Sequence, residues 1–109
     1  MEYQEMKRLL DVYNWDDGFA VPQKILEDPD CDLALALEIF FLADGYTYLD
    51  GMADSPDPAG WREFIRRLAD EIIEGRYPKT ERGFRIPIGA AARYRRKKRG
   101  ITEAFFTDL

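Results

Sequence analysis

An all-α fold, one domain of about five helices spanning residues 1–109, is what this sequence predicts, and three observations predict it. Apolar residues recur at spacings of three and four through residues 3–13 and 61–73. Residues 33–43 are apolar at almost every position, as in a helix packed on all sides. Glycine and proline fall between these stretches rather than inside them. At 109 residues, 46% apolar and 34% charged, the chain matches one soluble domain. Such a chain buries roughly two-thirds of the surface it exposes when unfolded, enough for one core without a metal or disulfide.

The first helix is amphipathic. Tyr3, Met6, Leu9, Leu10 and Tyr13 form its apolar stripe, and Glu2, Glu5, Lys7, Arg8 and Asp11 take the remaining positions. Asn14-Trp15-Asp16-Asp17-Gly18 then makes a turn, because Asn and Asp bond their own backbone and glycine accepts positive φ. Trp15 is expected to fold back onto the core. Val21-Pro22 opens a short second helix with Ile25 and Leu26 on its buried side, and Pro29 ends it.

Asp30 and Asp32 suit the N-cap and first turn of the third helix, where carboxylates accept free backbone N–H groups and complement the dipole. This central apolar helix is placed at residues 32–44, with Gly45 as its stop. Residues 51–60 read as a loop, Asp57-Pro58 as an N-cap followed by a first helical residue. The fourth helix sets Trp61, Phe64, Ile65, Leu68, Ile72 and Ile73 on one face, and Gly75 ends it.

Beyond Pro78 the pattern weakens. Phe84, Ile86 and Ile88 alternate, but Pro87 forbids a central strand, so the segment reads as extended. Ala90 to Arg99 favours helix, and Ala104, Phe105, Phe106 and Leu109 form a last apolar turn docked on the core. Residues 89–109 make a basic C-terminal segment of the same domain.

The catalytic inventory is poor. There is no histidine and one cysteine, so imidazole bases, Ser-His-Asp and Cys-His nucleophiles, cysteine zinc cages and an internal disulfide are excluded. No catalytic residue, metal ligand or cofactor is assigned, and the chain is expected not to be an enzyme. Asp16 and Asp17 beside Asn14 could pair as acid and base, but turn formation accounts for them. Asp28, Asp30 and Asp32 alternate as a calcium loop opens, yet Leu33 stands where that loop needs glycine and Ile39 where it needs a bidentate glutamate. Cys31 lies between Asp30 and Asp32, which oppose the thiolate, and reads as a buried structural thiol.

The net charge of −5 conceals a division. Residues 1–60 hold fourteen Asp and Glu against three Lys and Arg, a net of −11; residues 61–109 hold seven against thirteen, a net of +6. The two halves are expected to neutralise each other in part by packing together. The start Met1-Glu2-Tyr3-Gln4-Glu5 lacks the basic and apolar regions of a secretion signal, and no stretch approaches the ~20 apolar residues of a membrane span. A cytoplasmic protein with no membrane association is the expectation.

With these residues in view, the stretch from Tyr13 to Phe41 resembles a family of small, mostly bacterial proteins, domain of unknown function 4274. The resemblance rests on Asn14-Trp15-Asp16-Asp17-Gly18, Pro22, Cys31-Asp32, Ala36-Leu37 and Phe40, and covers about residues 10–75. It implies a helical, free-standing or appended domain, similar in some members to immunity-type proteins that neutralise toxins, and it brings no catalytic residue with it.

The leading functional expectation is therefore a non-catalytic protein-interaction module, immunity-like, whose acidic residues Asp16, Asp17, Asp28, Asp30, Asp50, Asp54 and Asp57 face a basic partner. The alternative is nucleic-acid binding through Arg93-Tyr94-Arg95-Arg96-Lys97-Lys98-Arg99, whose cations neutralise phosphates while Tyr94 stacks on a base. An acidic protein overall argues against the alternative.

Overall fold

The computed structural model describes residues 1–49, 60–86, 89–101 and 103–105. Among these it contains six α-helices and no strand: α1 (Tyr3–Val12), α2 (Ala20–Leu26), α3 (Leu33–Leu42), α4 (Gly45–Leu49), α5 (Trp61–Ile73) and α6 (Ala90–Lys98). Short 3-10 turns at Trp15–Asp17 and Glu103–Phe105 complete the described elements. The all-α class follows from the periodicity. The helix added to the expected set is α4. No helix among the described residues is long and apolar enough to cross a membrane.

α3 is the axis of the core. Ala34, Leu35, Ala36, Leu37, Ile39 and Phe40 are all buried, and α3 packs on both α4 and α5. Burying a Leu, Ile or Phe side chain stabilises by about 1.5–3 kcal/mol, so this one helix supplies a large share of the apolar driving force. Solvent is not excluded from every side, however. Leu42 is 40% exposed, and Leu33 and Phe41 are half-buried, because both ends of α3 reach the surface, the C-terminal one just before the chain reverses.

That reversal corrects the reading of Gly45 as a helix stop. The chain turns at Asp44, which takes φ 66°, and Gly45 begins α4. Glycine is required there for room: a Cβ on Gly45 would lie 2.5 Å from the Phe40 ring. The Phe40 ring packs edge-on to Tyr46 at 5.4 Å and against Phe105 at 4.8 Å. Tyr46 donates to the Phe105 carbonyl, so the C-terminal turn is held at the foot of α3. The expected docking of Phe105 is thus found, Phe105 being 1% exposed; Phe106 and Leu109 lie outside the described residues.

The amphipathic helices deviate at their margins. On α1, Met6 and Leu10 are buried while Leu9, expected on the same stripe, is 38% exposed. On α5, Phe64, Ile65, Leu68, Ala69 and Ile72 are buried but Ile73 is 54% exposed, since its position rotates it past the edge of the contact with α3. The expected start at Asp57-Pro58 lies outside the described residues; α5 runs from Trp61, whose indole N–H donates to the Ala43 carbonyl at 2.6 Å. Pro22 is the third residue of α2 rather than the first, still within the turn whose N–H groups need no helical acceptor. Residues 78–86 carry neither helix nor strand, with Ile86 buried; Ile88 lies outside the described residues.

Candidate functional site

The acidic candidates separate on folding. Asp16 and Asp17 belong to the 3-10 turn after α1, where Tyr13 donates its hydroxyl to the Gly18 carbonyl at 2.7 Å and Gly18 takes φ 93°. Tyr13 and Trp15 pack edge to face at 5.4 Å, and Asp17 is exposed. Asp28 and Asp30 lie elsewhere, in the turn between α2 and α3. The Asp28 carboxylate accepts from the Asp30 N–H and from the Met1 ammonium, each at 2.9 Å. These two donors, the backbone N–H first, hold its carboxyl below the ordinary range. Asp30 is 3.6 Å from the same ammonium and largely exposed. Asp50, Asp54 and Asp57 lie outside the described residues.

The basic candidates stay together. Arg93, Tyr94, Arg95, Arg96, Lys97 and Lys98 are consecutive in α6, and Arg99 is its C-cap. Arg93 is half-buried and donates to the Ile86 carbonyl at 2.7 Å. Tyr94, Arg95, Lys97, Lys98 and Arg99 are exposed, and the Lys98 ammonium is 6.0 Å from the centre of the Tyr94 ring. α6 has no apolar face to bury, and a nine-residue helix is marginal by itself in water. Two anchors on either side, Ile86 and Phe105, each 1% exposed, fix the ends of the segment that carries it.

A cluster centred on Asp32 was not visible as a site in the sequence. Asp32 is the N-cap of α3, as expected: its Oδ1 accepts from the Leu35 N–H at 2.9 Å. It is also 1% exposed, and its Oδ2 accepts from the Thr80 hydroxyl at 2.7 Å and an Arg82 guanidinium N–H at 3.3 Å. The Leu33 N–H donates to the Pro78 carbonyl at 2.9 Å, which brings residues 78–82 against the start of α3. Arg82 lies over the Tyr3 ring, 4.1 Å from its centre. This Arg82–Asp32 ion pair joins the acidic half to the basic half.

Around the cluster is an open cleft of about 510 Å³, walled by the start of α1, the α2–α3 turn and residues 78–82. Its polar lining includes Gln4, Asp30, Asp32, Thr80 and Arg82; Tyr3, Pro29 and Pro78 supply its apolar sides. No local motif announces it, because Thr80 and Arg82 are 48 and 50 residues from Asp32.

These contacts also dispose of the alternating-aspartate pattern. Asp28 turns to the Met1 ammonium and Asp32 to Thr80 and Arg82, so the three carboxylates do not converge. Among the described residues, no group of three or more His, Cys, Asp or Glu is placed to hold a metal ion. Cys31 is 3% exposed; burial first, and the Asp32 and Asp28 charges next, push its thiol up to about 12.

No curated protein and no solved structure matches the chain. Residues 3–73 match the family described as Domain of unknown function (DUF4274), a span that runs from α1 through α5 and includes the Asn14–Gly18 turn and Asp32. That span is well over half of the 109 residues and leaves out α6. The chain belongs to the domain of unknown function 4274 family.

Proposed function

We propose that the protein is a non-catalytic protein-interaction module whose contact surface is the exposed end of α1 together with the Asn14–Gly18 turn, and whose partner is basic. The observation that carries this reading is the company kept by Val12. It is 77% exposed, with Leu9 at 38% one helical turn before it, and the half-buried Tyr13 and Trp15 follow directly. Glu5, Asp11 and Asp17 are exposed in the same stretch, beside the exposed Arg8 and with Asp11 3.6 Å from the Lys7 ammonium. Aromatic and aliphatic anchors within a charged rim are the composition of a protein contact, and carboxylates there steer a cationic partner. The surface lies within the span matched by the family. The immunity-type role implied by the resemblance is the case in which the basic partner is a toxin.

Affinity capture from extract of the source cells tests this, with wild-type protein compared to a Val12→Asp, Asp17→Arg double variant at low and high salt. Wild type captures a basic protein whose recovery falls with salt, and the variant does not. Equal recovery by both proteins, or no captured protein at any ionic strength, overturns the reading.

A second reading, nucleic-acid binding through α6, is favoured by the grouping of Tyr94, Arg95, Lys97, Lys98 and Arg99 on one exposed element. It predicts a gel-shift affinity that falls steeply with salt and collapses when Arg95, Arg96, Lys97 and Lys98 become Gln. Unchanged affinity in that variant removes it.

A further inference from the structure

The cleft beside Asp32 holds an arginine that the contacts fastening residues 78–82 to α3 use only in part. Arg82 is held on two sides: the Tyr3 ring covers one face of its guanidinium at 4.1 Å, and Asp32 takes a single nitrogen at 3.3 Å. A guanidinium has five N–H donors in a planar fork. Asp32 takes one of those donors, and 41% of the side chain is exposed. Arg82 is therefore oriented for a bidentate carboxylate without being used up by its protein partner.

The same cleft carries carboxylates on its rim. Asp30 is 63% exposed, with one carboxylate oxygen 3.6 Å from the Met1 ammonium and the other left for a ligand, and Glu2 is exposed; both line the space. A ligand bearing only negative charge would meet Arg82 but be repelled by Asp30, Glu2 and the buried Asp32; one bearing only positive charge would meet Arg82 unfavourably. A ligand with both signs satisfies the two ends together. Pockets of this size, about 510 Å³, take small organic ligands, and the apolar surfaces of Tyr3, Pro29 and Pro78 suit short aliphatic side chains.

We propose that this cleft binds a short zwitterionic peptide, its terminal carboxylate on Arg82 and its ammonium toward Asp30 and Glu2. The site lies at the start of α1, whereas the partner surface proposed above lies at the end of that helix. Failure of one is therefore distinguishable from failure of the other.

Calorimetric titration of the full chain with L-alanyl-L-alanine tests the proposal, beside N-acetyl-L-alanyl-L-alanine, which keeps only the carboxylate, and L-alanyl-L-alaninamide, which keeps only the ammonium. The dipeptide gives saturable binding, and each singly charged analogue binds about tenfold more weakly or worse. Arg82→Gln loses about tenfold in dipeptide affinity, and Asp30→Asn loses several-fold. Amide shifts in the wild-type protein, mapped by NMR during the titration, concentrate at Tyr3, Thr80 and Arg82, a readout that needs no variant to fold. Absence of saturable dipeptide binding, equal binding by either analogue, undiminished affinity in Arg82→Gln, or shifts that avoid the cleft each overturn it.

Discussion

Replacing Asp32 tests the junction on which both the fold and the proposed cleft depend. Its carboxylate is 1% exposed and serves three donors: the Leu35 N–H, the Thr80 hydroxyl and Arg82. Loss of an N-cap acceptor costs about 1 kcal/mol. A buried hydroxyl-to-carboxylate bond contributes about 1.5 kcal/mol. The ion pair adds less than about 1 kcal/mol, because Arg82 is 41% exposed and solvent screens it. Relief of a buried charge offsets part of this. Asp32→Ala should therefore lose about 2–3 kcal/mol, equivalent to a fall in Tm of roughly 10–15 °C for a domain of this size. Asp32→Asn keeps an acceptor for the Leu35 N–H and a similar shape, and should lose about 1 kcal/mol. Urea unfolding followed by tryptophan fluorescence and far-UV circular dichroism gives both values. If both variants unfold within about 0.5 kcal/mol of wild type, Asp32 is not the clasp that the geometry makes it, and the arrangement of residues 78–82 on α3 is wrong.

Other perturbations follow from the same core. Gly45→Ala places a methyl group 2.5 Å from the buried Phe40 ring, so it should lower stability by about 1–3 kcal/mol in urea titration; an unchanged midpoint would refute the close approach. Phe105→Ala removes a 1%-exposed ring packed on Phe40 and should cost about 3–5 kcal/mol, a loss absent if the C-terminal turn were not docked. Cys31 should resist a disulfide reagent at pH 8 in the native state and react promptly in urea, since burial keeps its thiol protonated. Its sign in pH linkage is destabilising toward alkali: the unfolded thiol releases its proton around its ordinary value of 9.0, the folded one only at about 12, so the unfolded state binds fewer protons between them and stability falls as pH rises. Tyr77, raised first by burial and next by its bond to Glu71, acts in the same direction, so Cys31→Ala should flatten the alkaline decline without abolishing it.

The parts legible in the sequence are those decided within one or two helical turns. The central place of α3 could be read because nearly every residue in it is apolar, whereas its end could not: the helix stops at Leu42, short of the expected residue 44, and leaves Leu42 40% exposed. Leu9 and Ile73 are harder: each fits the helical spacing, yet position on a stripe does not say where the neighbouring helix ends, and both lie past that edge. Gly45 has two physical uses, ending a helix and admitting a neighbour, and only the location of the Phe40 ring distinguishes them. Asp32 separates the two kinds of information within one side chain. Its bond to the Leu35 N–H spans three residues and follows from the capping preference of aspartate. Its bonds to Thr80 and Arg82 span 48 and 50, and nothing in those residue types specifies that they close on this carboxylate rather than another. The charge division between the halves predicts that acid and base will meet somewhere, but the meeting place depends on the path of residues 78–82. A cleft assembled from the ends of such a path is invisible until the chain is folded, which is why the space beside Arg82 emerges only from the fold while the turn after α1 can be read directly.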